Sequence, residues 1–397
     1  RSRPGFDLGL KLRSCLEDSL AQGIQLKGIM LGSHGLFTWG DTSYESYINT
    51  LEVIEACAIY LENNMGHPRP VFGGMKMHSL NGIDRHTQAA AIAPILRGLC
   101  SSHRPMIGHY SDDARILEFV NSHDLERLAP MGTSCPDHFL RTKISPLILP
   151  LAPAADLTNP EEIKKELLPG FEEYRNMYAA YYHACAHVDS PAMRDPNPVV
   201  LLYPGIGMFT FAKDKTTARL ASEYYINAVN VMKGAEAVSA YTALTRQEAF
   251  DIEYWLLEEA KLKRMPKPKA LSGKIALITG SAGGIGKAIA KKFAEEGACI
   301  LLNDIHSGRL DETKEEFVKL FGKDVIDATL MDVTSEASIE LAFEQLALKF
   351  GGIDIIVNNA GISLSKSITD HTVKDWDKIY DILVKGQFLV SKEAIKV

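Results

Sequence analysis

The chain has no apolar run of the roughly 18 residues that a membrane-crossing helix needs. It has no positive excess either. Lys and Arg number 43 against 50 Asp and Glu, a formal net charge of −7, so neither nucleic acid nor an anionic membrane is an expected partner. Cysteine is sparse: Cys15, Cys57, Cys100, Cys135, Cys185 and Cys299 are scattered, and none forms a C-x-x-C pair. Buried, reduced thiols in a cytoplasmic protein are the simplest reading. Residue 1 is Arg, so no targeting signal can be read, and Val397 falls inside an amphipathic helical pattern. The expectation is an internal fragment of a longer polypeptide. With 397 residues, 46% apolar and 23% charged, the composition is that of a globular protein of about two or three domains.

What is present centres on one turn. The apolar run Ile275 to Ile278 leads into Thr279-Gly280-Ser281-Ala282-Gly283-Gly284-Ile285-Gly286, and a helical pattern, Lys287 to Glu296, follows. Strand, glycine turn and helix in that order suit a dinucleotide pyrophosphate on a helix N-terminus. By analogy with the general fingerprint, Gly280 allows the tight turn, Gly284 the backbone approach to phosphate, and Gly286 close helix–strand packing. The next strand, Ala298 to Asn303, ends at Asp304. A carboxylate there accepts hydrogen bonds from the adenosine ribose hydroxyls and repels a 2′-phosphate, so NAD is favoured over NADP, and no Arg adjoins Asp304 to reverse this. A strand-end turn residue is the competing reading of Asp304. Strand 325–331 then ends at Asp332-Val333, helix 335–350 follows, and strand 353–357 enters Asn358-Asn359-Ala360-Gly361.

Four regions are expected: 1–65, 66–262, a basic and Pro-rich linker at 263–270, and 271–397, where strands and helices alternate as in a doubly wound parallel sheet. The first region reads as helix 8–22, strand 28–32, strand 36–39 and helix 43–63. It also has an internal likeness: Gly28 to Trp39 resembles Val200 to Phe211, each followed by a long helix, 43–63 and 216–233. One fold used twice explains this; chance likeness of two apolar hairpins is the competing reading. His34 in the first copy is Ile206 in the second, and an imidazole can ligate a metal where an alkyl group cannot.

Residues 271–397 resemble the short-chain dehydrogenase/reductase family, on Thr279-to-Gly286, Asp304, Asp332-Val333 and Asn358-to-Gly361. The resemblance implies a Rossmann domain, here its N-terminal half, with the glycine turn (Thr279, Gly280, Ser281, Gly283, Gly284, Ile285, Gly286), Asp304, Asp332, Val333, Asn358, Ala360 and Gly361 binding NAD. In that family the catalytic Ser and Tyr-x-x-x-Lys come after this point, and the relay Asn falls at Leu383. The expectation is therefore a fragment with no catalytic residues of its own.

The strand, His34-Gly35, strand and helix order resembles the C-terminal part of class II aldolases, which implies His34 as one of three histidines on a catalytic zinc. In order, an aldolase-like α/β unit, a degenerate second unit and a short-chain dehydrogenase resemble the bifunctional rhamnulose-1-phosphate aldolase/dehydrogenase family. That likeness implies cleavage of rhamnulose 1-phosphate to dihydroxyacetone phosphate and lactaldehyde, NAD-dependent oxidation of the aldehyde, and a homo-oligomer. Two other readings stay open: a dehydrogenase whose aldolase-like region is a scaffold, and an NAD-sensing protein with a dead relay. Elsewhere, His183 and His187 at i, i+4 offer one helix face to a metal or to solvent. Pro136-Asp137-His138 with Arg141 and Lys143 reads as a polar loop or a phosphate site. His78 and His86 have no ligand spacing, and the aromatics of 174–182 read as a packing face.

Overall fold

The structure, a computed structural model, describes residues 5–32, 35–65, 70–151, 157–264 and 266–397. His34 lies outside the described residues. The chain opens with α1 (Phe6–Ala21), the hairpin β1 (Gly28–Leu31) and β2 (Gly35–Thr38), and α2 (Ser43–Asn64). Next come α3 (Gly82–Cys100), β3 (Ile107–Ser111), α4 (Ala114–Val120), α5 (Leu125–Leu128), α6 (Phe139–Thr142), β4 (Leu147–Ile148) and α7 (Pro160–Cys185). This part closes with β5 (Val200–Tyr203), β6 (Gly207–Ala212), α8 (Lys215–Val238), α9 (Arg246–Glu253) and α10 (Leu256–Lys263). The expected linker start at 263 is thus the last residue of a helix. Among the described residues no helix is long and apolar enough to cross a membrane.

The repeat is a repeat of register. β1 pairs with β2 antiparallel as Gly28↔Thr38 and Leu31↔Gly35. β5 pairs with β6 as Val200↔Thr210 and Tyr203↔Gly207. Every partner is displaced by 172 residues (200 − 28), and so are the helix starts Ser43 and Lys215. Even the polar fastening recurs. Thr38 Oγ1 donates to the Ser46 carbonyl at 3.4 Å, and Thr210 Oγ1 donates to the Ala218 carbonyl at 2.7 Å. Thr42 and Asp214 cap the two long helices by accepting from the N–H three residues on, as N-cap side chains do. What differs is burial. Every residue of β5 and β6 is buried, in a sheet ordered β3-β6-β5-β4, whereas β1 and β2 form a two-stranded sheet with no buried residue.

The C-terminal part is a parallel sheet ordered β10-β7-β8-β9, from β7 (Ile275–Ile278), β8 (Cys299–Asp304), β9 (Ile326–Leu330) and β10 (Ile355–Val357). Its helices are α11 (Gly284–Glu295), α12 (Ser307–Phe321), α13 (Glu336–Phe350), α14 (Val373–Tyr380) and α15 (Gly386–Lys396). Side chains alternate across each central strand. Ile275, Leu277, Cys299 and Leu301 join α13 and α15 in one core, while Ala276, Ile278, Ile300 and Leu302 join α11 and α12 in the other. Helices cover both faces, which is why these strands are almost wholly apolar. This is the doubly wound α/β sheet expected, with element ends shifted by up to three residues.

The two parts share core. Ile107 of β3 packs among residues of the C-terminal sheet and its helices, and Ala347 of α13 packs among Ala89, Ala93 and Leu96 of α3. Glycines permit the approach: a Cβ on Gly108 would lie 2.9 Å from the Gly351 Cα. Polar groups close the seam. The Arg97 guanidinium meets Asp354 at 2.6 Å, both largely buried. Arg219 grips Asp324 through Nε at 2.8 Å and Nη2 at 3.2 Å.

Lys215, buried at 1% exposure, donates to the Gly108 carbonyl at 2.9 Å, to His109 Nδ1 at 2.9 Å and to the Lys349 carbonyl. It thereby satisfies an orphan carbonyl in the last turn of α13, where a cation is favoured. Burial and the neighbouring Lys349 still push its pKa down from 10.5 to about 7. Between those values the unfolded chain holds a proton the folded chain has released, so stability rises with pH there; below about 7 both states hold it and the burial cost is fully present. Lys143, pushed down to about 8 by burial, acts in the same sense. Lys215→Met is expected to flatten the rise in Tm between about pH 7 and 9. Melts that keep the parent's slope would remove Lys215 as its source.

Candidate dinucleotide site

A cleft of about 370 Å³ opens at the C-terminal ends of β7, β8, β9 and β10, where open α/β sheets bind ligands. Gly280, Gly283, Gly284, Asp304, Asp332, Val333, Ala360 and Gly361 line it. Eight expected residues, from four segments, therefore meet in one place.

At Gly280 and Gly286 the glycine turn is shaped by close contacts, whereas Gly283 and Gly284 face open space. Gly280 has φ +66°, and a Cβ there would lie 3.1 Å from the Ala360 Cα. At Gly286 a Cβ would lie 2.3 Å from the Gly280 carbonyl oxygen and 2.5 Å from Asn359 Nδ2. No side chain caps α11. The N–H groups of its first turn are thus left for a ligand, and with the helix dipole they favour an anion.

The other expected residues serve the frame. Thr279 Oγ1 accepts from the N–H groups of Asn359 and Ala360, both at 2.9 Å. Ser281, fully buried, exchanges hydrogen bonds with the Asn303 backbone, holding the turn to β8. Ile285 is exposed, Gly286 packs beneath the turn, and Asn358 donates to Ser391 Oγ at 3.0 Å; none of the five lines the cleft. The adjacent Asn359 does, and its Nδ2 donates to the carbonyls of Thr279 and Gly280. Leu383 sits in a π-helical turn, Asp381–Lys385. Its Cδ2 lies 2.8 Å from where a Gly361 Cβ would be, and Ile382 faces the cleft. Together they make this wall apolar.

Asp304 ends β8 at the rim. Its Oδ2 accepts from the Ala282 N–H at 3.3 Å and its Oδ1 from the His306 N–H at 3.0 Å. The expectation that no Arg adjoins it fails. Arg309, in the first turn of α12, lines the cleft and places Nη2 4.0 Å from Asp304 Oδ1. The physical reason is the helix start at Ser307, which folds a residue five positions on back toward the strand end. Asp332 accepts from the N–H and hydroxyl of Thr334 through Oδ1, which fixes its carboxylate at the mouth.

Several other expectations do not hold. His183 and His187 share no helix face, because α7 ends at Cys185 and His187 lies beyond it, paired with Asp251 at 2.9 Å. No phosphate loop forms around His138. Its ring is buried against Thr133 Oγ1 at 3.0 Å, and Lys143 donates to the carbonyls of Asp195 and Asn197 over the Tyr178 ring. The side chain of Asp137 lies outside the described residues. Cys100, Cys185 and Cys299 are buried, but Cys15 is exposed and Cys57 and Cys135 are intermediate. The tyrosines of α7 do form a packing face: Tyr174, Tyr178 and Tyr181 are buried with Phe250 and Tyr254. The Tyr178 and Tyr181 hydroxyls donate to the Glu253 carboxylate at 2.5 and 3.2 Å, Tyr174 donates to the Ser145 carbonyl, and burial raises the Glu253 carboxyl's pKa despite its two donors. Among the described residues no three His, Cys, Asp or Glu side chains gather to hold a metal ion, so no zinc donor set is present in them.

Comparison with known families agrees with this architecture. Residues 274–397 match the short chain dehydrogenase family, and residues 87–262 match the family described as aldolase class II, second domain. In order along the chain, one region is similar to the second domain of class II aldolases and the next to short-chain dehydrogenases. Over 394 residues it is 35% identical to an uncharacterized oxidoreductase, YuxG, of Bacillus subtilis, covering 99% of this chain and 56% of that protein. Over 125 residues it is 38% identical to a 3-oxoacyl-[acyl-carrier-protein] reductase of Thermotoga maritima, covering 32% of this chain and 50% of that protein. A crystal structure of a Brucella melitensis 3-ketoacyl-(acyl-carrier-protein) reductase complexed with NADH is 33% identical, with a TM-score of 0.30, over 32% of this chain and 50% of its own. The chain spans about half the length of the curated relatives it matches.

Proposed function

We propose that the cleft at the ends of β7–β10 binds NAD(H) for an oxidoreductase reaction. The observation that carries the reading is the cradle itself: an uncapped α11 N-terminus behind a turn so tight that a Cβ on Gly286 would lie 2.3 Å from backbone. The first-turn N–H groups of α11 hold the pyrophosphate. Asp304 accepts from the adenosine ribose hydroxyls. Asp332 and Val333 border the adenine, and Ala360, Gly361 and Ile382 line the opposite wall. When bound, NAD supplies a hydride acceptor. Titrating the 397-residue chain with NADH and following its fluorescence tests this; saturable binding is expected, and no binding would sink the reading.

For a protein containing this chain, the order of the two matched regions supports rhamnulose 1-phosphate cleavage, a zinc-aided aldolase step on the N-terminal side, and oxidation of the lactaldehyde formed. A cytoplasmic homo-oligomer goes with that reading. The scaffold alternative has its own support in the second unit. Ile206, the counterpart of His34, is fully buried, its carbonyl accepts from the Tyr110 hydroxyl at 2.7 Å, and Arg97, Lys215 and Arg219 of the unit are bound to the seam. Rhamnulose 1-phosphate and NAD, incubated with such a protein with and without a chelator, separate the two. NADH formation that needs metal supports serial action. NADH from added lactaldehyde alone supports the scaffold.

A further inference from the structure

We propose that a cavity at the seam between the two parts binds a small phosphorylated molecule, with Arg97 and Arg104 holding the phosphate. The cavity is separate from the cleft at the ends of β7–β10, and the inference does not depend on the dinucleotide reading.

The cavity encloses about 380 Å³, at the lower end of the range for small-molecule sites, roughly 300–1,000 Å³. One wall is the end of α3 with the loop that follows it; the other is Gly352, Asp354 and Val397. Two arginines line it with donors to spare. Arg97 is 9% exposed. Its Nε and Nη2 are taken by the carbonyls of Met106 and Gly273 and by Asp354. Its Nη1 has no hydrogen-bond partner among the described residues, and lies 3.6 Å from where a Gly352 Cβ would be, on the cavity wall. Arg104 is exposed and makes no hydrogen bond or ion pair among the described residues. Beside it, His103 meets Ser102 Oγ through Nδ1 at 3.1 Å, which leaves Nε2 for a ligand.

Charge decides the class of ligand. Among the described residues, Asp354 is the one acidic side chain on the cavity wall, and it is already engaged. Its Oδ2 meets Arg97 and the Ile275 N–H, and its Oδ1 lies 3.4 Å from Lys274 Nζ. With Lys274, three cations stand against Asp354 and the terminal carboxylate of Val397, so the balance is positive. The α3 C-terminus opposes an anion, but its dipole is worth about half a charge and fades within one turn. Guanidinium edges match phosphate oxygens in pairs, and partly buried charges are screened less than exposed ones. Pro94, Pro105 and Val397 offer an apolar floor for a short carbon body. Gly98 leaves room for it, since nothing lies within 4 Å of where its Cβ would be.

Calorimetric titration of the 397-residue chain with inorganic phosphate and with glycerol 3-phosphate, at constant ionic strength and with glycerol as the uncharged control, tests the site. Two variants attack it differently. Arg104→Ala removes charge and no contact within the fold. Gly98→Leu fills the cavity, keeps every charge, and puts a better helix former in α3. Each is expected to weaken glycerol 3-phosphate at least about tenfold, with circular dichroism and Tm no worse than the parent's. Phosphate held instead in the cleft of β7–β10 would be displaced by NADH and indifferent to residues 98 and 104. A parent that binds neither probe below about 10 mM overturns the inference. So does glycerol 3-phosphate binding that either variant leaves intact: loss with Arg104→Ala alone marks diffuse attraction to surface charge, not a cavity.

Discussion

Gly286→Ala is expected to abolish NADH binding and to destabilise the fold by about 1–3 kcal/mol. Two effects oppose each other. Gly286 lies inside α11, where alanine normally gains up to about 1 kcal/mol over glycine. The new methyl would however lie 2.3 Å from the Gly280 carbonyl oxygen and 3.0 Å from its carbonyl carbon. Those are backbone atoms of a turn fixed by Thr279, Ser281 and Asn359, so they cannot step aside as a flexible side chain would. The clash wins, and it opens the turn where the pyrophosphate would rest. Gly234→Ala in α8 is the matched control, since nothing lies within 4 Å of a Cβ there; it should leave stability unchanged or raise it. Thermal melts and NADH titration of both variants settle the point. A Gly286→Ala chain that melts and binds like its parent would show that the turn is not the cradle described.

The cleft at the ends of β7–β10 was legible because its signals are local. A β-branched run ending in glycines, a carboxylate closing the next strand and an Asn-Asn-Ala-Gly turn each declare their place within a few residues, and parallel topology brings strand ends together. The hairpin repeat was legible for a related reason: register is fixed by a short turn, so a displaced copy of the sequence becomes a displaced copy of the pairing. Arg309 escaped notice because its approach to Asp304 depends on where α12 starts, not on adjacency in sequence. His187 misled because i, i+4 spacing means nothing past a helix end. The seam was least legible. Arg97 and Asp354 are separated by 257 positions, and Lys215 reaches a carbonyl 134 positions away. Charged residues at such distances read as surface until their partners are in place.

Removing the Arg97 side chain should be the most damaging change outside the cleft. Its Nη2 meets Asp354 Oδ2 at 2.6 Å, and its Nε donates to the Met106 carbonyl at 2.5 Å. Asp354 Oδ2 in turn accepts from the Ile275 N–H at 2.9 Å. Side-chain exposures of 10% and 17% place the pair where breaking it strands a buried charge, a loss of about 3–5 kcal/mol. Lys274 Nζ, 3.4 Å from the other oxygen, leaves Asp354 partly compensated, so Arg97→Ala is expected near the lower end, about 3 kcal/mol. The damage has a direction. Ile275 begins β7, and β7 runs straight to Gly280. Loosening its start should weaken NADH binding severalfold with no cleft residue changed, and should speed hydrogen exchange in β3, β7 and α13 together. Arg97→Met, which keeps the apolar stem, should not rescue it. If Arg97→Ala costs less than about 1 kcal/mol in denaturant melts, the pair is no more than a surface ion pair. The N-terminal and C-terminal parts would then be held by the apolar contacts of Ile107 and Ala347 instead.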